Sequence, residues 1–337
     1  MKALSLTNPS LQIGPFAIPL AAPLLVIYAA IGAVLAPAFI SPNNLISVLF
    51  SVAVLLPAVI GMQLLLVLGR FDLSVGATAS LAGMVAALSL ARYHSIPLAI
   101  CLALSLGILV GLINGIMVSR LRVDPLIATL AMMGITSSLA LVINDGRIVA
   151  GLPSGFGWII TARIAGIPYL ILIALCLVCV AGLAAAHIVV FRRFYAVGAN
   201  PEAASHAGIN IKLLVTFGFI LTGLGAAVVG TLQASRTLSA SPLQFQSLAI
   251  EAIAACLIGG SALTGGRGGI VGAAIGLIVV CATNNLVVIL GISVYWKECA
   301  IGLLLLSAVL GSPIVNRIRG LLSKHQNNHA AYEISTY

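Results

Sequence analysis

Few residues in this chain have both the type and the spacing for bond-making chemistry, and their surroundings argue against it. Cys176 and Cys179 form a C-x-x-C pair, the spacing of redox and zinc sites, yet both fall inside an apolar stretch that supplies no further ligand. Cys101, Cys256, Cys281 and Cys299 also lie in or beside apolar stretches and read as small packing groups. His325 and His329 stand four apart, which would suit a metal on a helix, but the polar segment around them reads as an unstructured tail. No metal site is expected. The run GGSALTGGRGG from Gly259 to Gly269 is glycine-rich enough to approach a phosphate, yet no Lys ends it, no strand precedes it, and the dipeptide Gly-Lys never occurs in the chain. It is not a P-loop; Gly265, Gly266 and Arg267 read as a tight, irregular turn. No Ser, His and acid trio is visible for hydrolysis.

What remains is chemistry of recognition. Glu251 stands in an apolar stretch, where a carboxylate costs at least about 2.5 kcal/mol and therefore faces a partner or a cavity. Arg236 is the expected partner, and a path for solute the competing role. Asn114, Thr129, Asn144, Thr222, Asn284 and Asn285 are the other groups that could replace the hydration of a hydroxyl-rich solute, each competing with an ordinary interhelical hydrogen bond. In the run FDLSVGA from Phe71 to Ala77, Asp72 and Ser74 can cap a helix start while Gly76 permits a close crossing. Gly111 and Gly115, four apart with Asn114 beside them, form a small-xxx-small face.

The elements that must position these groups follow from composition. Apolar residues make up 61% of the 337 residues and charged ones 7%, against roughly 25% charged in soluble domains. The mean hydropathy is +1.21. Apolar blocks recur at lengths near the roughly 20 residues a helix needs to cross about 30 Å of hydrocarbon, and strand-barrel alternation is absent. The chain is therefore expected to be an all-α integral membrane protein. About ten spans are expected, at roughly 17–39, 46–69, 74–91, 96–118, 124–144, 167–190, 212–232, 246–264, 269–290 and 298–315, with residues 1–16 and 316–337 outside the membrane. The first stretch follows Lys2 but is long and has no convincing cleavage site, so it reads as a span and not as a secretion signal.

Basic residues set the orientation. Placing the N-terminus inside puts Lys2, Arg70, Arg120, Arg122, Arg192, Arg193, Lys212, Arg267, Arg317, Arg319 and Lys324 on the cytoplasmic face, most of the sixteen Lys and Arg. Arg92, Arg147, Arg163, Arg236 and Lys297 fall outside. Both termini are then cytoplasmic, and the net charge of +9 is a topology signal and not a nucleic-acid surface, since the charges lie mostly singly between spans. Ten spans divide into two runs of five, which an odd number would invert relative to each other. Asp72 and Glu251 lead corresponding spans, and Asn114 and the Asn284–Asn285 pair follow in the next. No loop has room for a catalytic domain, so any energy the chain uses comes from a partner or an ion gradient.

Between the sixth and seventh expected spans lies FRRFYAVGANPEAASHAGINIK, from Phe191 to Lys212. Asn200 suits a helix N-cap, Pro201 the first helical position, Glu202 the positive end of the dipole, and Gly208 a left-handed terminator. The pattern predicts a helix of about two turns, about 10 Å long, flanked by Arg192, Arg193 and Lys212 at the cytoplasmic surface. It could be an ordinary connector or a small rigid plug for a partner's groove.

The stretch resembles the cytoplasmic loop of permeases in the ribose, xylose, arabinose and galactose group of bacterial ABC importers, with its YAVGxNxxAAxxxGI pattern. Tyr195, Ala196, Val197, Gly198, Asn200, Ala203, Ala204, Gly208 and Ile209 match it. FDLSVGA, GLINGIMVSRLRVDPLIATL from Gly111 to Leu130, and EAIAACLIGGSALTGGRGG from Glu251 to Gly269 agree as well. The resemblance implies a permease core of two copies, or of one copy and a sister permease, in membrane lipid. It also implies ABC ATPase subunits that carry ATP and Mg, and a periplasmic solute-binding protein; no cofactor is expected on this chain. Carried over residue by residue, it makes Asn200, Pro201, Glu202, Ala203, Ala204, Ser205, Gly208 and Ile209 the ATPase-coupling element. One departure stands out: Gly69, Arg70 and Phe71 occupy the place where members of the group usually carry Gly-Gly-Ile or similar. An ion-coupled secondary carrier is the alternative that physics alone leaves open, though it should place more ionisable groups at mid-membrane.

Overall fold

The computed structural model describes residues 21–293 and 295–307. Helices run in the order α1 (Ala21–Leu35), α2 (Pro42–Val67), α3 (Val75–Tyr93), α4 (Ile96–Ser119), α5 (Pro125–Val142), α6 (Trp158–Thr161), α7 (Tyr169–His187), α8 (Val189–Ala199), α9 (Pro201–His206), α10 (Ile211–Thr237), α11 (Leu248–Ile258) and α12 (Ile270–Ile289). Residues 296–307 are also helical. Two short antiparallel ladders pair β1 (Val149–Ala150) with β4 (Ser239–Ala240) and β2 (Arg163–Ile164) with β3 (Ile167–Pro168).

Seven helices, α2, α3, α4, α5, α7, α10 and α12, are long and apolar enough to cross a bilayer, and they coincide with the expected second to seventh and ninth spans. The eighth is different. The expected span 246–264 is an 11-residue helix, α11, about 16 Å long and so about half of the hydrocarbon thickness. It stops because Gly260, Gly265, Gly266 and Gly268 all take positive φ, which turns residues 259–269 into irregular backbone. The first expected span is described only from residue 21 and the tenth only to residue 307. Residues 1–16 and 316–337, with His325 and His329, lie outside the described residues.

Two long helices form the centre. The α10 helix packs along α4, α3 and α2, while α2 also packs against α12, α11 and α7. Small residues bring these axes together. A side chain at Gly107, Gly111 or Gly115 of α4 would run into Gly223, Phe219 and Thr216 of α10, and one at Gly83 of α3 into Gly230. The expected small-xxx-small face is therefore the α4–α10 seam, where backbone approach replaces the hydrophobic driving force that lipid removes. At the periphery α7 turns Leu172, Ile173, Leu175, Val180 and Leu183 outward, a surface suited to acyl chains and not to water. Cys176 and Cys179 are exposed on this same helix.

The expected long loop, about 145–166, is a folded cap. Leu152 and Phe156 are buried with Met84, Leu90 and Ala234, and the Ser235 hydroxyl donates to the Phe156 carbonyl at 2.7 Å. It covers one end of α3 and α10; α8 and α9 stand at the other.

Candidate coupling end and polar cavity

At the α8–α9 end a six-residue helix is fixed at both termini. Asn200 is extended (φ −155°, ψ 100°) and its Oδ1 accepts from the Ala203 amide at 3.0 Å, with Pro201 opening the helix and Glu202 in its first turn. Gly208 takes φ +77°, so the Gly208 amide reaches the Ser205 carbonyl at 3.0 Å and the Ile209 amide the Ala204 carbonyl at 3.1 Å. This is a Schellman closure, and these are local bonds that the sequence already specifies. Ala204 is buried against the cluster containing Phe194, Val197 and Leu214, whereas Pro201, Glu202, Ala203 and Ser205 are exposed. The helix thus hangs on one small anchor and presents a rigid face with few protruding atoms.

Its support comes from segments far away in sequence. The Gly266 amide donates to the Val67 carbonyl at 2.8 Å, and the Tyr195 hydroxyl donates to the Gly268 carbonyl at 3.0 Å. Burial holds the Tyr195 phenol above its ordinary pKa, so it remains a donor. Gly198 lies so close to Val67 and Gly266 that no side chain fits there, and Gly265 abuts Gly69. Three motifs separated in the chain, around Gly69, Gly198 and Gly265–Gly266–Arg267, therefore meet beneath α9. Backbone contacts at Val67, Gly69 and Gly266 thus join the segment that carries α9 to the end of α2 and the approach to α12.

Beside this platform Asp72 is buried (1% exposed). Its Oδ1 accepts from the Ser74 amide at 2.8 Å and the Ser74 hydroxyl at 2.6 Å. Its Oδ2 accepts from Asn114 Nδ2 at 3.3 Å, and Asn114 also donates to Ser74 Oγ at 3.0 Å. Burial pushes the Asp72 carboxyl up, opposed by these bonds from Ser74 and Asn114. The expected Ser74 cap is not formed: Ser74 sits at φ −77°, ψ −7° without a side-chain cap bond, because its hydroxyl is drawn into the Asp72–Asn114 network. Gly76 does permit a close crossing, against the Phe245 carbonyl.

At the opposite end a cavity of about 410 Å³ opens between α2, α10, α11 and α12. Glu251, Asn284 and Asn285 line it. Glu251 Oε1 lies 3.4 Å from Lys297 Nζ and accepts from Asn284 Nδ2 and Ser247 Oγ, each at 3.3 Å. The partner is thus Lys297 and not the expected Arg236, whose guanidinium stacks 4.9 Å over the Phe50 ring and also faces the cavity. Partner and cavity are both realised at Glu251. Asn285 and Asn44 exchange two amide bonds of 2.9 Å, tying α12 to α2, and Asn284 Oδ1 is buried with no partner among the described residues.

The other candidates lie elsewhere. Asn114 belongs to the Asp72 network, Thr129 donates to its own helix at Pro125 (2.7 Å), Thr222 likewise at Gly218 (3.0 Å), and Asn144 donates to the Arg147 carbonyl (2.9 Å) in a turn. Reading the sequence missed Ser47, Ser51, Gln233 and Gln244, all on the cavity wall. Ser47 and Ser51 are one helical turn apart in a span, and Gln233 and Arg236 nearly so. That spacing of polar groups is a signal that could have found them. The two serine hydroxyls donate to their own helix at 3.0 and 3.1 Å, which leaves their oxygens free to accept.

Comparison with known proteins fits this arrangement. The family described as "Branched-chain amino acid transport system / permease component" matches residues 44–309. The chain is 34% identical over 290 residues to the ribose import permease protein RbsC of Haemophilus influenzae, covering 85% of this chain and 90% of that protein. It is 32% identical over 274 residues to the L-arabinose ABC transporter permease protein AraH of Azospirillum brasilense, covering 81% of each. Against the autoinducer 2 import system permease protein LsrC of an Enterobacter species it is 30% identical over 290 residues, covering 86% of this chain and 84% of the other. No solved structure matches the chain. With its apolar helices exposed to lipid and its glycine-packed centre, the chain is a multi-pass inner-membrane protein and belongs to the branched-chain amino acid transport system permease component family.

Proposed function

We propose that the chain is the membrane-spanning subunit of an ATP-binding cassette importer. It passes a sugar or sugar-like solute from a periplasmic binding protein to the cytoplasm, with ATP hydrolysed on separate ATPase subunits. The observation that carries this reading is the placement of two features at opposite ends of one rigid bundle: a capped, small-faced helix at one and a cavity walled by amides and hydroxyls at the other. The relatives named for ribose, arabinose and autoinducer 2 import support a hydroxyl-rich solute. So does the wall, because Gln233, Gln244, Asn284 and the Ser47 and Ser51 oxygens supply the neutral donors and acceptors that replace water around a polyol.

In this reading α9 is the coupling helix, seated in a groove of the ATPase, and the cavity is the outer part of the path. Ten spans with both termini cytoplasmic form two inverted halves. Mirrored pairs support the inversion: the Asp72–Asn114 bond at one end corresponds to the Glu251–Asn284 bond at the other, both 3.3 Å. The helices exchange in the same sense, α10 packing on α3 and α4, α2 on α11 and α12. Two copies, or one copy and a sister permease, enclose the full path. The test is reconstitution in vesicles with and without ATPase subunits and binding protein: uptake is expected only with both and with ATP. Uptake with neither, driven by an ion gradient, would make the chain a secondary carrier and refute the proposal.

A further inference from the structure

A second cavity, of about 370 Å³, opens at the α8–α9 end between the end of α4 and the first turns of α5 and α10. Arg70, Arg122 and Lys212 line it against a single carboxylate, Asp124. That carboxylate accepts from the Leu126 amide at 2.8 Å as the cap of α5, and its charge also acts on Arg70, so it offsets one of the three cations and leaves two. None of the three cations forms an ion pair among the described residues, where the one pair is Lys297 with Glu251 at the far end. Arg70 Nε is buried without a hydrogen-bond partner among them. Pro125 and Ile211, also on the wall, open α5 and α10, so two helix N-termini add partial positive charge from different directions.

Cations that outnumber the carboxylate on the same wall favour an anion, and the buried Arg70 Nε has a donor to offer it. The chain neighbours of the lining residues say which anion. Next to the lining residues stand Leu121, Ile127 and Leu213, exposed by 68%, 63% and 65%. A free anion makes no use of such apolar side chains, whereas a phospholipid carries a phosphate and acyl chains in that order across the membrane boundary.

We propose that this cavity holds the phosphate of an anionic phospholipid, its chains running along Leu121, Ile127 and Leu213. The lipid phosphate sets a negative charge among Arg70, Arg122 and Lys212 and clamps the start of α10 to the loop between α4 and α5. Arg122 and Lys212 are exposed, so Arg122→Gln and Lys212→Gln leave the fold intact.

The full-length permease in neutral detergent is titrated with phosphatidylglycerol, phosphatidylcholine or inorganic phosphate, read by native mass spectrometry and thermal melting. Phosphatidylglycerol is expected to be retained and to raise the melting temperature, and phosphatidylcholine is not. Each Gln variant should weaken phosphatidylglycerol retention about fivefold, Lys212→Arg should restore it, and Arg92→Gln at the opposite end should change nothing. Retention unchanged in both Gln variants overturns the proposal. Equal stabilisation by inorganic phosphate identifies a free-phosphate site and overturns the lipid assignment. Native mass spectrometry is repeated on the permease with its ATPase subunits: variants that release those subunits while keeping the lipid show an acidic protein segment in the cavity, which also overturns it.

Discussion

Ala204→Pro isolates the proposed coupling role of α9. In the native helix the Ala204 amide donates to the Asn200 carbonyl at 3.1 Å, the first bond of the turn. Proline removes that donor, and its ring collides with the same carbonyl, together costing about 3 kcal/mol or more. It also drives Ala203 out of the helical region, which breaks the 3.0 Å bond from the Ala203 amide to the Asn200 cap. A helix of six residues has nothing in reserve to absorb such a loss. About 3 kcal/mol corresponds to roughly a hundredfold smaller population of the closed helix, and the apparent affinity for a partner that requires it falls by the same factor. The bundle itself is untouched, because α9 contributes only Ala204 to a buried cluster. In vesicles holding permease, ATPase and binding protein, ATP-driven uptake should drop at least about tenfold, with membrane insertion and thermal melting of the bundle unchanged. Ser205→Ala, on an exposed side chain of the same helix, should cost less than about 0.5 kcal/mol and keep the helix closed, so it should lower uptake far less than Ala204→Pro. Native uptake by Ala204→Pro would refute the reasoning.

Glu202→Lys should leave α9 folded, at a cost of up to about 1 kcal/mol against the helix dipole, yet reduce uptake if the exposed carboxylate meets the ATPase; unaltered coupling of hydrolysis to uptake would count against that contact. Glu251→Ala and Lys297→Ala should be non-additive in uptake, because each leaves the other's 3.4 Å partner behind; a double variant equal to the sum of the singles would show that the pair is inert. Gly111→Val should lower the melting temperature in detergent by overpacking worth about 1–3 kcal/mol, because its new side chain strikes the Phe219 and Ile220 backbone. Gly134→Ala, with open space around it, is the matched control. Ser205→Cys should react with an impermeant thiol reagent only from the cytoplasmic face and Arg163→Cys only from the outer face, each scored against the background of the native exposed cysteines; labelling in the reverse sense would invert the topology.

Much of the α9 element was readable from residues alone. The Asn200 cap, the Pro201 start and the Gly208 terminator act within four or five residues of one another, so the local chemistry carries its own geometry. Seven spans were equally legible because length and hydropathy are one-dimensional properties. Even the pairing of Asp72 with Asn114 and of Glu251 with Asn284 left an echo in the order of the residues, though not the bonds themselves.

The length of α11 was not legible. Its apolar composition continues as far as a span would, and only the close approach of Gly259 to Gly272 and of Gly265 to Gly69 fixes where helix gives way to irregular backbone. Nor could the sequence pair Glu251 with Lys297 in preference to Arg236, since both cations lie at the same end and only the packing of Arg236 on Phe50 separates them. The cavity belongs wholly to the tertiary structure. Its wall draws a few residues from each of α2, α10, α11 and α12, and a lone polar side chain in an apolar helix looks the same in sequence whether it faces a neighbour's backbone or a space. Local bonds are written in local sequence, whereas a space is defined by what four distant helices leave unfilled, and that is settled only when their glycine faces lock together.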